Sequence, residues 1–532
     1  MQQEKPKKLA LPRISVGNVA LLLAGASMVG QVLGFLRTKL VNANFDSLGP
    51  HSTGSYFAAF NIPDFFFYTV AAGALGVAFM PVLAERLHRG DRKSVWELST
   101  SLLNLLCIIM FVVGIIIIIF ARPLIHHIVA PKLTPSQLND AVTIMRFLAF
   151  NPLFFTISGV LTSVQQTLGR FIFYAIAPLF YNVSIIASIY IFRHTEFGLK
   201  GLGVGAFVGG AVQLLVVIVG LRRMSFSWRP RIKWRSKGFK TILRNLPPRS
   251  LDQGMDQIES IVETNFASHI GTQVITYYNN AYTLQTAPTL LIGTAISTAV
   301  FPRLSNRLAA GRTDLFRRDF LRALRGIIWL TLPVVVVCYF CRGYLARLIF
   351  TQDGPEIAII FGYLTVAIFF RTVYSIISRW YYAQKDTRTP LFVSVFTIGL
   401  NIMLAYTLSQ KSSYGIAGLA MAQSIVAMVE VIILSVIMII RDRGLLNMQF
   451  WGGCFRIVSV TGFSVVAGYI MVNLLPLGIA DRGPITMGAK LFAISAVVFA
   501  VYVGLSALFT LEEVQPIISR LKKLFRPIRI QY

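Results

Sequence analysis

Long apolar runs, each closed by a short polar or basic stretch, recur along the whole chain; Leu102–Phe120, which contains IIMFVVGIIIIIF, is typical. Roughly twenty apolar residues cross a bilayer as a helix, and helices satisfy every backbone group internally, as hydrocarbon demands. The pattern predicts fourteen spanning helices, at 17–43, 54–84, 95–121, 137–165, 171–192, 199–221, 250–270, 272–302, 326–348, 355–383, 389–409, 414–440, 453–475 and 488–510. The expected fold class is therefore an all-α polytopic membrane protein. The first run has no convincing small-residue cleavage site after it, so it reads as an uncleaved span.

Charge supports this count. Only 14% of the residues are charged, against about a quarter in a soluble domain. Thirty-five of the 50 Lys and Arg fall at the N-terminus, in loops after even-numbered spans, or at the C-terminus; nine fall after odd-numbered spans. The positive-inside rule then puts both termini in the cytoplasm. The net charge of +28 is mostly loop charge. Its densest stretch, Arg222–Arg249, interleaves basic and aromatic residues and reads as a surface for anionic headgroups, with no nucleic-acid role.

The chain also repeats itself. Pro81, Leu83, Arg86, Leu87 and Gly90 recur 221 residues later as Pro302, Leu304, Arg307, Leu308 and Gly311, and Asn44-Phe45 recurs as Asn265-Phe266. Gln165 and Asn182 match Gln384 and Asn401 at an offset of 219; Gly198, Gly201 and Leu202 match Gly415, Gly418 and Leu419 at 217. Spans 1–6 and 7–12 are thus two copies of one unit. Six is even, so the copies run in the same sense, as in transporters that hold substrate between parallel lobes and alternate access by rocking. The expected organisation is a cytoplasmic tail at 1–16, an N-lobe at 17–222, a basic loop at 223–249, a C-lobe at 250–443, two further spans at 444–510 and a basic tail at 511–532.

Ionisable groups inside spans are costly and point to function. Arg37 and Lys39 lie in span 1, Arg146 in span 4, and Arg371 and Arg379 in span 10. Arg37 is the best candidate for a phosphate, since a guanidinium fork matches phosphate oxygens. Lys39 sits about 200° around the helix from it and is expected to snorkel to an interface. Arg371 and Arg379 share a face; they either add charge for substrate or pair with acids of span 7. Those acids, Asp252, Asp256, Glu259 and Glu263, form one helical stripe. The stripe either couples transport to Na⁺ or H⁺, pairs with arginines on other helices, or is solvated at the helix mouth. Asp64 follows the mid-helix Pro63 and either caps the broken turn or serves the cavity.

Other chemistry is thin. Cys338 and Cys341 form a CxxC inside a span and read as packing residues, like Cys107 and Cys454. His126 and His127 have no metal-ligand spacing, and there is no phosphate-binding GxxxxGK[ST] loop. Enzymatic activity, a bound cofactor and ATP-driven pumping are not expected.

Several motifs carry a family resemblance. VLGFLR ending at Arg37, FAAFNIP at 57–63, AGALGVAFMPVLAE at 72–85, Gly169-Arg170 with Ala177-Pro178, and YAQKDTRTP at 382–390 resemble the MurJ/MviN lipid II flippases of the multidrug/oligosaccharidyl-lipid/polysaccharide exporter superfamily. The resemblance runs end to end. It implies two six-helix lobes around a central cavity, and a lipid-tail groove at spans 13 and 14. It also implies movement of an undecaprenyl-pyrophosphate-linked disaccharide-pentapeptide to the outer leaflet of the bacterial cytoplasmic membrane, with cell-wall synthesis proteins as partners and a monomeric state. Coupling would be to Na⁺, to H⁺ or to the membrane potential, with any Na⁺ held at the span 7 acids. The family's four cavity cations fall here on Gln31, Arg37, Tyr68 and Thr283, and its acids after Arg37 and in the second helix fall on Thr38 and Ala72. One of four cations is kept. The alternatives left open are a flippase for another polyprenyl-linked glycan, an ion-driven small-molecule exporter, and a transport-inactive scaffold.

Overall fold

The computed structural model describes residues 16–72, 79–88, 92–222, 224, 226–350, 353–410, 414–478, 481 and 483–515. Residues 1–15 and 516–532 of the basic tails and the side chain of Asp252 lie outside them. Every long apolar run within the described part is helical. The first half holds α1 (Val16–Asn44), α2 (Thr53–Phe66), α3 (Met80–His88), α4 (Arg92–Pro123), α5 (Pro135–Leu148), α6 (Asn151–Thr167), α7 (Ile172–Phe192) and α8 (Gly201–Gly220). The second holds α9 (Lys237–Ile270), α10 (Thr272–Pro288), α11 (Ala295–Ala309), α12 (Thr313–Phe340), α13 (Arg342–Ile349), α14 (Gly354–Ala383), α15 (Arg388–Leu408) and α16 (Ile416–Arg441). Then come α17 (Met448–Leu474) and α18 (Pro484–Leu508).

Eleven helical stretches among the described residues are long and apolar enough to cross a bilayer. They correspond to expected spans 3–6 and 8–14. Spans 1, 2 and 7, which carry Arg37, Asp64 and the acidic stripe, are not among them; each includes residues or side chains outside the described part. For span 2 these include residues 73–78. The basic stretch expected as a loop at 223–249 is helical from Lys237 onward, where α9 begins.

The backbone bears out the repeat. α2 loses α-geometry in a π-helical turn at Phe67–Ala72, and α10 does so at Thr289–Thr294, an offset of 222. A proline precedes each turn, Pro63 by four residues and Pro288 by one, at positions that the repeat does not match. Gly198 and Gly415, matched in sequence, both take positive φ, 46° and 56°, at the start of the last helix of each copy.

The chain forms two compact units, which differ from the expected lobes. The described residues within 1–40, 62–122 and 139–254 form one; those within 41–61, 123–138 and 255–532 form the other. The first is held by Phe79, Leu83, Leu98, Leu102, Val160, Val164 and Phe239, which join α3, α4, α6 and the start of α9. Lipid tails are as apolar as leucine, so helix association in a bilayer relies on close packing and polar contacts. Gly201, Gly205 and Gly209 show the packing: a Cβ at Gly205 would stand 2.1 Å from Ser188 Oγ on α7.

The second unit takes in two segments of the first repeat through buried neutral hydrogen bonds. Asn42 and Asn280 exchange amide bonds of 3.2 and 3.1 Å. Thr53 Oγ1 and Thr276 Oγ1 lie 2.9 Å apart. Gln137 Nε2 donates to Gly49 O at 2.8 Å and to Thr272 Oγ1 at 3.2 Å. These amides and hydroxyls, invisible to a hydropathy pattern, draw 41–61 and 123–138 away from the rest of their repeat. The core of this unit, around Phe316, Phe320, Ile376, Trp380, Tyr381 and Leu434, joins α12, α14 and α16. α17 and α18 dock on α12: Trp329 Nε1 donates to Ser506 Oγ at 3.0 Å, Tyr502 OH to Trp329 O at 2.7 Å, and Arg325 pairs with Glu513 at 2.7 Å.

The YAQKDTRTP motif has a structural role. Asp386 Oδ1 accepts from the backbone N–H of Arg388 and Thr389, both at 3.1 Å, so it caps α15. Its Oδ2 takes the Thr389 hydroxyl at 2.6 Å and pairs with Arg441 at the end of α16. Burial alone would raise its pKa, but the hydrogen bonds from Thr389 and Arg441 and the charge of Arg441 bring it down from 3.8 to about 2. Asp386→Asn is expected to cost about 1 kcal/mol, read as a lower Tm of the detergent-solubilised protein. A depressed carboxylate stabilises the fold above its unfolded value. The wild-type advantage should therefore be full above pH 3.8 and shrink as pH falls through about 2.

Candidate functional site

The buried charge of the second unit gathers around Arg371, on α14. Its Nη2 donates to Glu259 Oε1 and Oε2 of α9 at 2.8 and 2.7 Å. Its Nη1 lies 3.9 Å from Glu430 of α16. Asn401 on α15 donates to Glu259 Oε1 at 3.2 Å, and Ser394 Oγ donates to Glu430 Oε1 at 2.8 Å. Glu263, one helical turn beyond Glu259, is buried, and its Oε1 has no hydrogen-bond partner. Nearby, Tyr278 OH donates to Gln423 Oε1 at 3.1 Å. Four helices thus meet around one guanidinium and three carboxylates. A buried charge persists only when paired and hydrogen-bonded, and here Glu259 is met by both Arg371 and Asn401.

This geometry sorts the expected residues. Arg371 is the partner of a span 7 acid, which is one of the two roles left open for it. Arg379 stacks instead on aromatic rings, 5.5 Å from Phe301 and 5.8 Å from Tyr382. Of the acidic stripe, Glu259 and Glu263 are buried and Asp256 is exposed. Glu430 was missed in the sequence, although a lone acid inside the apolar run of α16 was the signal for it. Among the described residues no group of three His, Cys, Asp or Glu is placed to hold a metal ion.

The first unit holds the other cluster. Arg37 on α1 and Asp64 on α2 are both half-buried. Gln31 lies half-buried on the same helix, and Tyr68 is 39% exposed within the π-helical turn. Thr283, in the second unit, gives its hydroxyl to Asn279 O of its own helix at 2.9 Å. The candidate substrate residues therefore divide between the two units.

A family model described as "Lipid II flippase MurJ" matches residues 46–509. The chain belongs to the lipid II flippase MurJ family. A probable lipid II flippase MurJ of Rhizobium meliloti is 24% identical over 509 residues, 91% of this chain and 92% of that protein. One of Vibrio cholerae is 26% identical over 440 residues, 78% of this chain and 81% of that protein. A solved structure described as lipid II flippase MurJ in an inward closed conformation superimposes with a TM-score of 0.74 at 20% identity, covering 91% of this chain and 98% of that one. An inward-facing multidrug-resistance MATE transporter of the MOP superfamily does so with a TM-score of 0.65 at 17% identity, covering 81% and 99%. At these identities the structures show a shared fold. Within that MurJ-family fold, the Arg371 network makes a specific demand: removing the cation leaves carboxylates buried without it. Arg371→Met should cost about 3 kcal/mol, and Glu259→Gln added to it should recover part of the loss. Thermal denaturation of both proteins in detergent checks this, and strictly additive losses would contradict it.

Proposed function

We propose that this protein is a flippase. It carries lipid II, the undecaprenyl-pyrophosphate-linked peptidoglycan precursor, from the inner to the outer leaflet of the bacterial cytoplasmic membrane by alternating access, with both termini in the cytoplasm. The observation that carries this reading is the family match across residues 46–509. Arg37 is the phosphate ligand in this reading, and Gln31, Tyr68 and Thr283 are the other candidate substrate residues. Asp64 tempers the charge of Arg37 until a pyrophosphate takes its place. Arg371 and Arg379 are committed to internal contacts and hold the second unit together. α17 and α18, docked on α12, provide the surface for the lipid tail, as a lipid substrate requires and a small solute does not.

Coupling is assigned to the Glu259–Glu263–Glu430 cluster. Three carboxylates against one guanidinium leave an excess of negative charge that a proton would offset. A second reading, an ion-driven exporter of small molecules, draws on the neutral residues at Gln31, Tyr68 and Thr283 and on the MATE-like fold.

Complementation separates the two. Wild-type protein is expected to rescue growth of a bacterium depleted of its lipid II flippase, and Arg37→Ala to lose that rescue at equal membrane expression. No rescue by the wild type would sink the flippase reading; full rescue by Arg37→Ala would remove the phosphate assignment alone. In the same strain, collapsing the H⁺ gradient is expected to stop growth on this protein, and indifference to it would remove the coupling assignment.

A further inference from the structure

The two repeats treat one conserved-in-both arginine differently. In the second repeat Arg307 ends α11 and lies 3.4 Å from Asp319 of α12, an acid that Arg303 also grips at 2.7 and 2.9 Å. Asp319 is 5% exposed. There the positive charge is answered inside the protein. In the first repeat the matching arginine is Arg86, at the end of α3. Counting back 221 residues, the place of Asp319 is taken by Leu98 and that of Arg303 by Val82. Arg86 turns to neutral acceptors instead: Nη1 donates to Ser94 O at 3.0 Å and Ser94 Oγ at 2.7 Å, and Nη2 to Ser236 Oγ at 3.1 Å.

Beside Arg86 lies a pocket of about 540 Å³. Arg86, Lys233 and Arg235 line it with three positive charges; Glu97 brings one negative charge, and that is held by Lys233 at 2.7 Å. Ser94, Ser101 and Ser236 add hydroxyls. α9 begins at Lys237, next to Ser236, so the positive end of a helix dipole adjoins the wall. Gly238 lets the guanidinium approach, since a Cβ there would stand 2.3 Å from Arg86 Nη2. Trp234 also lines the pocket and is 54% exposed. The opposing repeat neutralises the same corner with a buried acid; among the described residues this one has none at the matching place.

We propose that this pocket is an anion site for a phosphate group, supplied by a lipid headgroup or by a soluble phosphate, and separate from any pyrophosphate path along Arg37. Arginine and lysine with hydroxyls and a helix start are the groups that recognise phosphate. The pocket's place beside the basic stretch at 222–249 suits a headgroup at the membrane surface.

Equilibrium binding of radiolabelled inorganic phosphate to the full-length protein in phosphatidylcholine nanodiscs tests this, repeated with phosphatidic acid added to the discs. Saturable binding is expected. Arg86→Gln should weaken it about tenfold, as loss of a charged hydrogen-bonding group does. Arg235→Ala, which removes an exposed side chain and leaves the fold untouched, should weaken it severalfold. Arg307→Gln should leave it unchanged. Competition by phosphatidic acid would identify the lipid headgroup as the ligand, and its absence would identify soluble phosphate. The site is overturned if the wild type binds no phosphate in either kind of disc, or if Arg86→Gln and Arg235→Ala both bind as the wild type does.

Discussion

A charge inside a bilayer must be answered by the protein, and the ion pair of Arg371 with Glu259 is where this chain meets that demand most fully. The guanidinium on α14, the carboxylates on α9 and α16 and the amide on α15 bring four helices to one point. Apolar packing alone would not fix their register, because lipid competes with it on equal terms. The same logic governs the neutral contacts. Asn42 with Asn280, Thr53 with Thr276, and Gln137 with Thr272 draw two segments of the first repeat into the second unit.

Comparing the repeats shows how one scaffold acquires two chemistries. Both copies break into a π-helical turn at equivalent places, and both set a positive-φ glycine before their last helix. Their polar residues have diverged. The first keeps Arg37 and Asp64 and leaves Arg86 among serines. The second surrounds Arg371 with carboxylates and neutralises Arg303 and Arg307 with Asp319. Backbone geometry is shared because any six-helix unit must close its hydrogen bonds in lipid; side-chain charge is free to specialise.

Much of this was legible in the sequence. Length and hydropathy of the apolar runs located the helices, and near-constant offsets of Pro, Arg and Gly located the repeat, since both depend on local composition. The role of Asp386 could have been read as a cap from the DTRTP spacing. The pairing of Arg371 with Glu259 could be named only as one of two roles, because it joins residues 112 positions apart. The exchange of 41–61 and 123–138 into the second unit was not legible. It rests on small amides and hydroxyls that carry no periodicity and no charge.

Those neutral contacts also bear on the alternating access proposed above. Uncharged hydrogen bonds such as the Asn42–Asn280 pair can break and reform at modest cost, as that proposal requires. The decisive measurement is lipid II transfer across the membrane of proteoliposomes containing Asn42→Cys/Asn280→Cys, before and after bridging with a short, cleavable thiol crosslinker. Bridging is expected to arrest transfer, and cleavage to restore it. Undiminished transfer by the bridged protein would contradict it.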